Sequence, residues 1–367
     1  MKVAHVSLAC VDSVARLSSF ATLTGLVKHL ALGGHEVHVL ARASRDEDGS
    51  LDGPVSVHLR SDTDAPLPGL TVLSPKLLRL ARSLAPDVVH AHGLLFPTQL
   101  VAMRSVLPSP TALVVQHHGE PPPSGLRGLA ARLLPTRPDA ALFTATAQSA
   151  EFLAAGQLSR LTPVHAVPET GTDFTPVSPR PSLLAGSPAI LWVARLHLRK
   201  DPLTALEAFR RYRESAPNAH LTLVYGEAPH EAEVNAAIER LGLAAAVTKR
   251  GRVPHEDLPG LFSSADAFLS TSPKEGCNYA LVEALACGTP SVATDVEPHQ
   301  TLTGGFAHLF PPGDADAAAE ALARAVKTSA DGRARIAAHA ARALSWPSVV
   351  DRTLAIYDEA IRRRRAR

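Results

Sequence analysis

The sequence predicts an α/β protein built from two doubly wound, Rossmann-like domains. Three observations carry that prediction. Short apolar runs with strand character alternate with longer amphipathic segments along the chain. The alternation breaks once, in TPVSPRPSLLAGSP at residues 175–188, where four prolines and three serines fall without periodicity, and then restarts. The total of 367 residues suits two domains, each able to bury a core of its own.

The elements follow in order. Residues 3–9 read as a strand. Residues 20–32 read as a helix, with Phe20, Leu23, Val27 and Leu30 at helical spacing and Gly33-Gly34 to end it. Residues 36–41 and 55–59 are strands, 74–84 a helix, 87–91 and 112–116 strands, 140–145 a buried β run, and 149–155 a helix. After the break come a strand at 189–193, a helix at 202–215 and a strand at 221–225. A helix at 231–241, a strand at 247–253, helical residues 255–263 and a strand at 267–269 follow. Strands at 291–294 and 308–310 complete the second sheet, and 317–327 is an alanine-rich stretch beyond it. Such alternation implies parallel βαβ units covered on both faces, with ligands at the C-terminal edges of the strands. The boundaries expected are 1–176 for the first domain, 177–188 for a linker, 189–344 for the second domain, and 345–367 for a last helix and basic tail.

Composition excludes several classes. Apolar residues make up 46%, which suits a soluble globular chain. The net charge is +2, but five arginines within residues 362–367 supply +5, leaving −3 for the body. That balance argues against nucleic-acid binding, which needs a basic face. Cys10, Cys277 and Cys287 form no CxxC pattern and no zinc spacing, so reduced thiols and a cytoplasmic setting are expected. No window approaches the ~20 apolar residues of a membrane span.

The most informative segment is SPKEGCNYALVEALACGTP at 272–290, which sets Glu275 and Glu283 eight positions apart across a loop-to-helix junction. A helix N-terminus presents unpaired N–H groups and the positive end of the macrodipole, an anion site. Glu275 stands just before it, and Glu283 lies roughly 12 Å further on if the whole step is helical. Taken alone, the pair reads as two solvated charges. Upstream, Arg195 and Lys200 follow the 189–193 strand in WVARLHLRKDPLTALEAF; taken alone they too are surface charges. Together the four suit a ligand with hydroxyls at both ends and a diphosphate between, as in a nucleotide sugar.

The second half resembles the donor domain of family-4 glycosyltransferases of the GT-B fold. The resemblance rests on motifs in register over roughly residues 189–312. Arg195 and Lys200 follow the first strand, Gly226 the next, and Gly251-Arg252-Val253 forms a G-x-V turn. An E-G-x-x-x-x-x-x-E segment from Glu275 to Glu283 closes with A-C-G-T-P. The resemblance implies two domains facing a central cleft and a C-terminal helix that crosses back to the first. It implies that Arg195 and Lys200 bind the donor diphosphate, helped by backbone N–H groups of Gly276, Cys277, Asn278 and Tyr279. Glu283 would hold the ribose, Glu275 the transferred sugar, and the backbone at Arg252 and Val253 the base. Departures are Ala194 and Asp201 at positions where glycine is usual, and Cys277-Asn278-Tyr279 in the loop, expected to affect which sugar hydroxyls are read.

The first half is similar to the acceptor domain of that family through Gly34-His35-Glu36-Val37, through residues 86–92 (PDVVHAH), and through His118-Gly119, where the family places an active-site histidine. His117 and His92 are secondary candidates. Ser18 and Ser19 occupy the place of the family's glycine pair and would contact the donor, without glycine's close approach. Two D-x-D matches, at 62–64 and 314–316, lie in turn-rich segments and read as surface rather than as Mg²⁺ ligands. The arginine run reads as a solvated tail or as a contact for an anionic membrane carrying the acceptor.

The resemblance therefore implies a retaining, metal-independent glycosyltransferase, of the cell-envelope polysaccharide type, without a cofactor. Its partners would be a nucleotide-sugar donor and a glycan, glycolipid or small-molecule acceptor, in the cytoplasm or at the inner face of its membrane. A nucleotide-sugar epimerase on the same fold and a non-catalytic sugar-nucleotide-binding partner of another transferase are the alternatives.

Overall fold

The computed structural model describes residues 1–11, 13–17, 21–51, 53–61 and 74–366. The chain forms two compact units, Met1–Gly171 with Trp346–Arg367, and Thr172–Ser345.

The first unit contains an eight-stranded sheet. Its strands are β1 (Lys2–Val11), β2 (Glu36–Ala43), β3 (Glu47–Leu51), β4 (Val55–Ser61), β5 (Val88–His92), β6 (Ala112–Gln116), β7 (Ala140–Phe143) and β8 (Val164–Ala166). They lie in the order β3-β4-β2-β1-β5-β6-β7-β8. All neighbours are parallel except β3 and β4. The central strands are buried along their length because each sheet face carries its own core. Val3, Val37, Val88 and Val114 pack on one face, and Ala4, Val89, Leu113 and Val115 on the other. The strand order reverses between β1 and β5, which opens a crevice at their C-terminal ends.

The second unit contains β9 (Ala189–Val193), β10 (His220–Val224), β11 (Val247–Gly251), β12 (Ala267–Ser270), β13 (Ser291–Thr294) and β14 (Ala307–Phe310). All are parallel, in the order β11-β10-β9-β12-β13-β14, so this sheet reverses between β9 and β12. The helix Pro202–Ser215 turns Ala205, Leu206, Phe209 and Tyr212 into the core and takes its N-cap from Asp201, whose carboxylate accepts from the Thr204 N–H at 3.1 Å. Asp201 has φ +47°, in the left-handed region. Glycine is usual at such a position, and aspartate is one of the few residues that tolerates it.

Several sequence expectations change here. The helix expected at 20–32 is Ala21–Leu32; Phe20 lies outside the described residues. The helix after Glu275 begins only at Tyr279 and runs to Ala286, so Glu275 stands in the loop and the 12 Å helical separation does not apply. Residues 177–188 are fastened to the second unit rather than free. Arg180 pairs with Asp266 at 2.7 Å and also reaches the Ser263 and Ser264 carbonyls, while the Val177 N–H donates to Ser263. The arginine run is no separate tail, since one helix, Trp346–Arg365, includes it, and Arg363 pairs with Glu359 at 3.2 Å. Cations at a helix C-terminus are favoured by the macrodipole. Helices Pro97–Val106, Gly125–Leu133, Glu297–Thr303 and Ala330–Ala343 and strand β3 went unread.

The last helix belongs to the first core, where Val349, Val350, Tyr357 and Ile361 pack with Leu23, Leu26, Val27 and Leu30. Trp346 fits a socket made by two glycines. A Cβ on Gly25 would fall inside the Trp346 indole, and one on Gly171 would lie 2.8 Å from Trp346 backbone atoms. His29 stacks on the same indole, ring centroids 5.5 Å apart. Gly25→Ala is expected to cost about 1–3 kcal/mol through overpacking. Thermal denaturation should show an apparent Tm several degrees lower.

Candidate active site

The second sheet gathers its chemistry at the β9/β12 reversal. After β9 the chain passes Arg195 and enters a 3-10 turn, Leu198–Lys200, whose N-cap is His197, accepting from the Arg199 N–H at 3.0 Å. Beyond β12 the Thr271 hydroxyl donates to the carbonyls of Lys200 (3.0 Å) and Asp201 (2.7 Å), tying the two strand ends together. The result is an ion pair: Lys200 Nζ lies 2.5 Å from Glu275 Oε1, with Glu275 only 7% exposed. A cation and an acceptor-only carboxylate are thus held side by side just ahead of a helix N-terminus.

Arg195 does not join them. Its side chain is 58% exposed and lies 3.7 Å from Glu227. Glu283, on the Tyr279–Ala286 helix, accepts from His255 Nε2 at 2.8 Å, and the His255 ring lies tilted against Phe174 with centroids 4.8 Å apart. The hydrogen bond to Glu283 raises the His255 pKa against a smaller opposing effect of burial. His255 was missed in the sequence; its signal was its place two residues after Val253 in the G-x-V turn. Gly226 and Arg252 are brought together, since a Cβ on Gly226 would stand 3.5 Å from the Arg252 guanidinium.

The loop residues divide by direction. Cys277 is buried in the core cluster with Leu281 and Leu285. Asn278 caps the helix by accepting from the Leu281 N–H, and its amide donates to Ser270 (2.8 Å) and to His299 Nε2 (3.0 Å). His299 Nδ1 in turn donates to the Thr294 carbonyl at 2.8 Å. Burial lowers the His299 pKa, so a neutral ring accepts from Asn278. The choice of sugar expected of Cys277 and Asn278 therefore does not reside in their side chains, whereas Tyr279 is exposed. Cys287 is no nucleophile, because burial pushes its thiol pKa up to about 12.

The first unit gathers histidines at its own reversal. His5 on β1 pairs in register with His90 on β5, and His92 lies two residues further along that strand. His118 follows β6. Its Nδ1 is 2.5 Å from Glu169 Oε2, and its backbone N–H donates to Glu120 at 2.7 Å. Burial opposes a charge on His118, but the bond to Glu169 and the charges of Glu169 and Glu120 outweigh it and raise its pKa. His5, His90 and His92 are pushed well down, first by burial and then by neighbouring imidazoles. His117 packs against Phe143 and bonds the Glu120 carbonyl, a core role.

Ser18, Ser19 and the 62–64 D-x-D lie outside the described residues. Of the other D-x-D, Asp314 caps the Ala315–Ala325 helix and Asp316 pairs with Arg211. Among the described residues, the group of metal-ligating side chains with ligand atoms within 4.8 Å of one another is His5, His90 and His92. The His90 and His92 rings are stacked at 5°, so their in-plane lone pairs run side by side instead of converging on one ion. No helix among the described residues is long and apolar enough to cross a membrane.

These shifts set a pH dependence. An unfolded chain titrates its histidines near pH 6.5. Below that value it takes up protons that His5, His90 and His92 refuse when folded, so the stability they contribute is lost as pH falls. The contribution of His118 is present below pH ~6.5 and is lost as pH rises through its raised folded pKa. Thermal unfolding between pH 5 and 8 should show Tm falling on the acid side, with His5→Gln flattening that limb.

Comparison with known proteins agrees with this architecture. Residues 21–160 match the family model described as "Glycosyltransferase Family 4", and residues 178–343 match "Glycosyl transferases group 1". The D-inositol 3-phosphate glycosyltransferase of Stackebrandtia nassauensis is 33% identical over 246 residues, 61% of this chain and 55% of that protein. The 2-deoxystreptamine N-acetyl-D-glucosaminyltransferase of Streptomyces fradiae is 28% identical over 188 residues, 48% of this chain and 44% of that protein. The chain thus spans about half the length of the curated relatives it matches. The structure of Anabaena Alr3699/HepE in complex with UDP and glucose superposes with a TM-score of 0.71 at 18% identity, covering 97% of this chain and 98% of that one. That last likeness is one of fold. With one family model matched over residues 21–160 and the other over 178–343, the chain belongs to family 4 of the GT-B glycosyltransferases.

Proposed function

We propose that this protein transfers a sugar from a nucleotide-sugar donor to an acceptor hydroxyl, with retention of anomeric configuration and without a metal or other cofactor. The observation that carries the proposal is the Lys200–Glu275 ion pair at the β9/β12 reversal, just ahead of the Tyr279 helix N-terminus. A diphosphate arriving there draws Lys200 toward its oxygens, helped by backbone N–H groups of residues 276–279, and Arg195 swings in from its exposed position. Releasing Lys200 lets Glu275 Oε1 accept from a sugar hydroxyl. Glu283, now bonded to His255, exchanges that partner for the ribose diol, and the backbone at Arg252 and Val253 meets the base beside Gly226. We assign His118 the part of the family's active-site histidine.

In the step itself the bond from C1 to the phosphate oxygen breaks as the acceptor oxygen bonds to C1 on the same face. The acceptor's proton passes to a phosphate oxygen of the departing nucleotide. Positive groups at the leaving diphosphate gain most as its charge develops. The acceptor is a cell-envelope glycan or glycolipid or a small molecule, met in the cytoplasm. Arg362, Arg364 and Arg365 offer a peripheral contact with anionic lipid at the membrane's inner face.

A panel of sugar nucleotides in a thermal-shift assay should reveal one donor that raises Tm by mass action, and transfer should persist in excess EDTA. Lys200→Ala should lower kcat by about 10²–10³. Wild-type transfer rates in both Lys200→Ala and Glu275→Ala would overturn the assignment. Release of an epimerised sugar nucleotide without acceptor would make the protein an epimerase instead, and donor binding with neither transfer nor hydrolysis would make it a non-catalytic partner.

A further inference from the structure

His118 does not stand alone as an acid or base. Glu169 only accepts, so His118 Nδ1 carries hydrogen whether the ring is neutral or charged. The nitrogen that titrates is Nε2, and it faces inward, 2.9 Å from His92 Nδ1. His92 Nε2 lies in turn 3.0 Å from His5 Nδ1. The far nitrogen, His5 Nε2, is buried with no hydrogen-bond partner. Four residues from four places in the chain therefore form one file, Glu169–His118–His92–His5, which runs from the loops after β8 and β6 through the end of β5 to the N-terminal half of β1.

Each nitrogen-to-nitrogen contact needs one donor and one acceptor, and that rule passes from ring to ring. With His118 neutral, its Nε2 accepts. His92 then carries hydrogen on Nδ1 and accepts at Nε2, and His5 carries hydrogen on Nδ1 with a bare Nε2. With His118 charged, its Nε2 donates. His92 then carries hydrogen on Nε2, and so does His5. The two states differ by one proton: in the second, His5 Nε2 carries it, and the Nδ1 protons of His5 and His92 each stand one ring nearer His118. No bond in the file is left unmade in either state.

We propose that His92 and His5 are positioning residues that hold His118 in its file and reverse their tautomers in step with its protonation. The groups facing the file are Glu169 beyond β8, Glu120 in the loop after β6, His90 on β5 and Tyr357 on the last helix. His90 stacks on His92 with centroids 4.6 Å apart, and its Nδ1 lies 2.5 Å from the Tyr357 hydroxyl. Among the described residues, both carboxylates facing the file lie at the His118 end, and the neighbour whose charge acts on His5 is His92. The charge therefore settles on His118 whichever ring first takes the proton, in line with its raised pKa and the lowered values of the inner rings.

The part His118 plays in transfer rests on the proposed function, but the tautomer reversal does not, and magnetic resonance reads it without any substrate. In the full chain labelled with ¹⁵N-histidine, long-range ¹H–¹⁵N spectra are recorded from pH 5 to 9. The His5 and His92 nitrogens should exchange protonated-type and bare-type shifts at the midpoint at which His118 titrates. His92→Phe keeps a stacked ring but removes both bonds. It should lower the His118 midpoint by about one pH unit, the worth of a lost charge-assisted bond, and leave His5 in one tautomer. His92→Gln, whose amide oxygen can accept from His118, should restore the midpoint. If transfer is measurable, its pH profile should move with these midpoints. Single fixed tautomers for His5 and His92 throughout the wild-type titration would overturn the proposal, even if neither variant folds. So would a folded His92→Phe protein with an unmoved His118 midpoint.

Discussion

A parallel strand cannot return to its neighbour through a tight hairpin, and that constraint organises everything of chemical interest here. Each strand must leave by its C-terminal end into a crossover, so the variable loops of each sheet collect at one edge. Where strand order reverses, two such loops diverge and leave a crevice. In the second sheet those loops bring Lys200 and Glu275 together. In the first sheet the same rule brings His92, in register with Ser7 of β1, to His118.

The two crevices are electrostatically unlike. The second presents an ion pair whose members can each turn to a ligand, with a helix terminus adding field from backbone dipoles alone. The first buries imidazoles and sets a carboxylate, Glu169, against the outermost of them. A buried carboxylate is costly without a cation, and Glu169 meets that cost in part by holding His118, whose pKa it raises.

Most of the fold was readable because a sheet buried on both faces writes itself as apolar runs. β6, β9, β13 and the Pro202–Ser215 helix begin and end where the sequence places them. Strand β3 was not readable, since it is a polar edge strand, EDGSL, held by antiparallel pairing to β4. The Ala330–Ala343 helix was missed because it buries only Gly332, Ile336 and Ala340, too thin an apolar stripe to show among alanines and arginines. The site was half legible. Loop position after a strand pointed to Lys200 and Glu275, but motif spacing says nothing of side-chain direction. It therefore grouped Arg195 with a pair it does not join, and gave Cys277 and Asn278 an outward role when one packs into the core and the other caps a helix. The His5 and His255 partnerships are contacts between distant segments, which one sequence does not record.

The last helix adds a consequence for biogenesis. The first unit's core is made from both ends of the chain, with Trp346, Val349 and Tyr357 completing what Val3, Leu26 and Val37 begin. The second unit is one unbroken stretch, Thr172–Ser345. On a ribosome, where domains fold as they emerge, the stretch translated second has its whole core to hand before the first has its own. The nascent first unit must wait with an open apolar face until the final helix arrives, which makes it the part that calls for chaperone protection during synthesis.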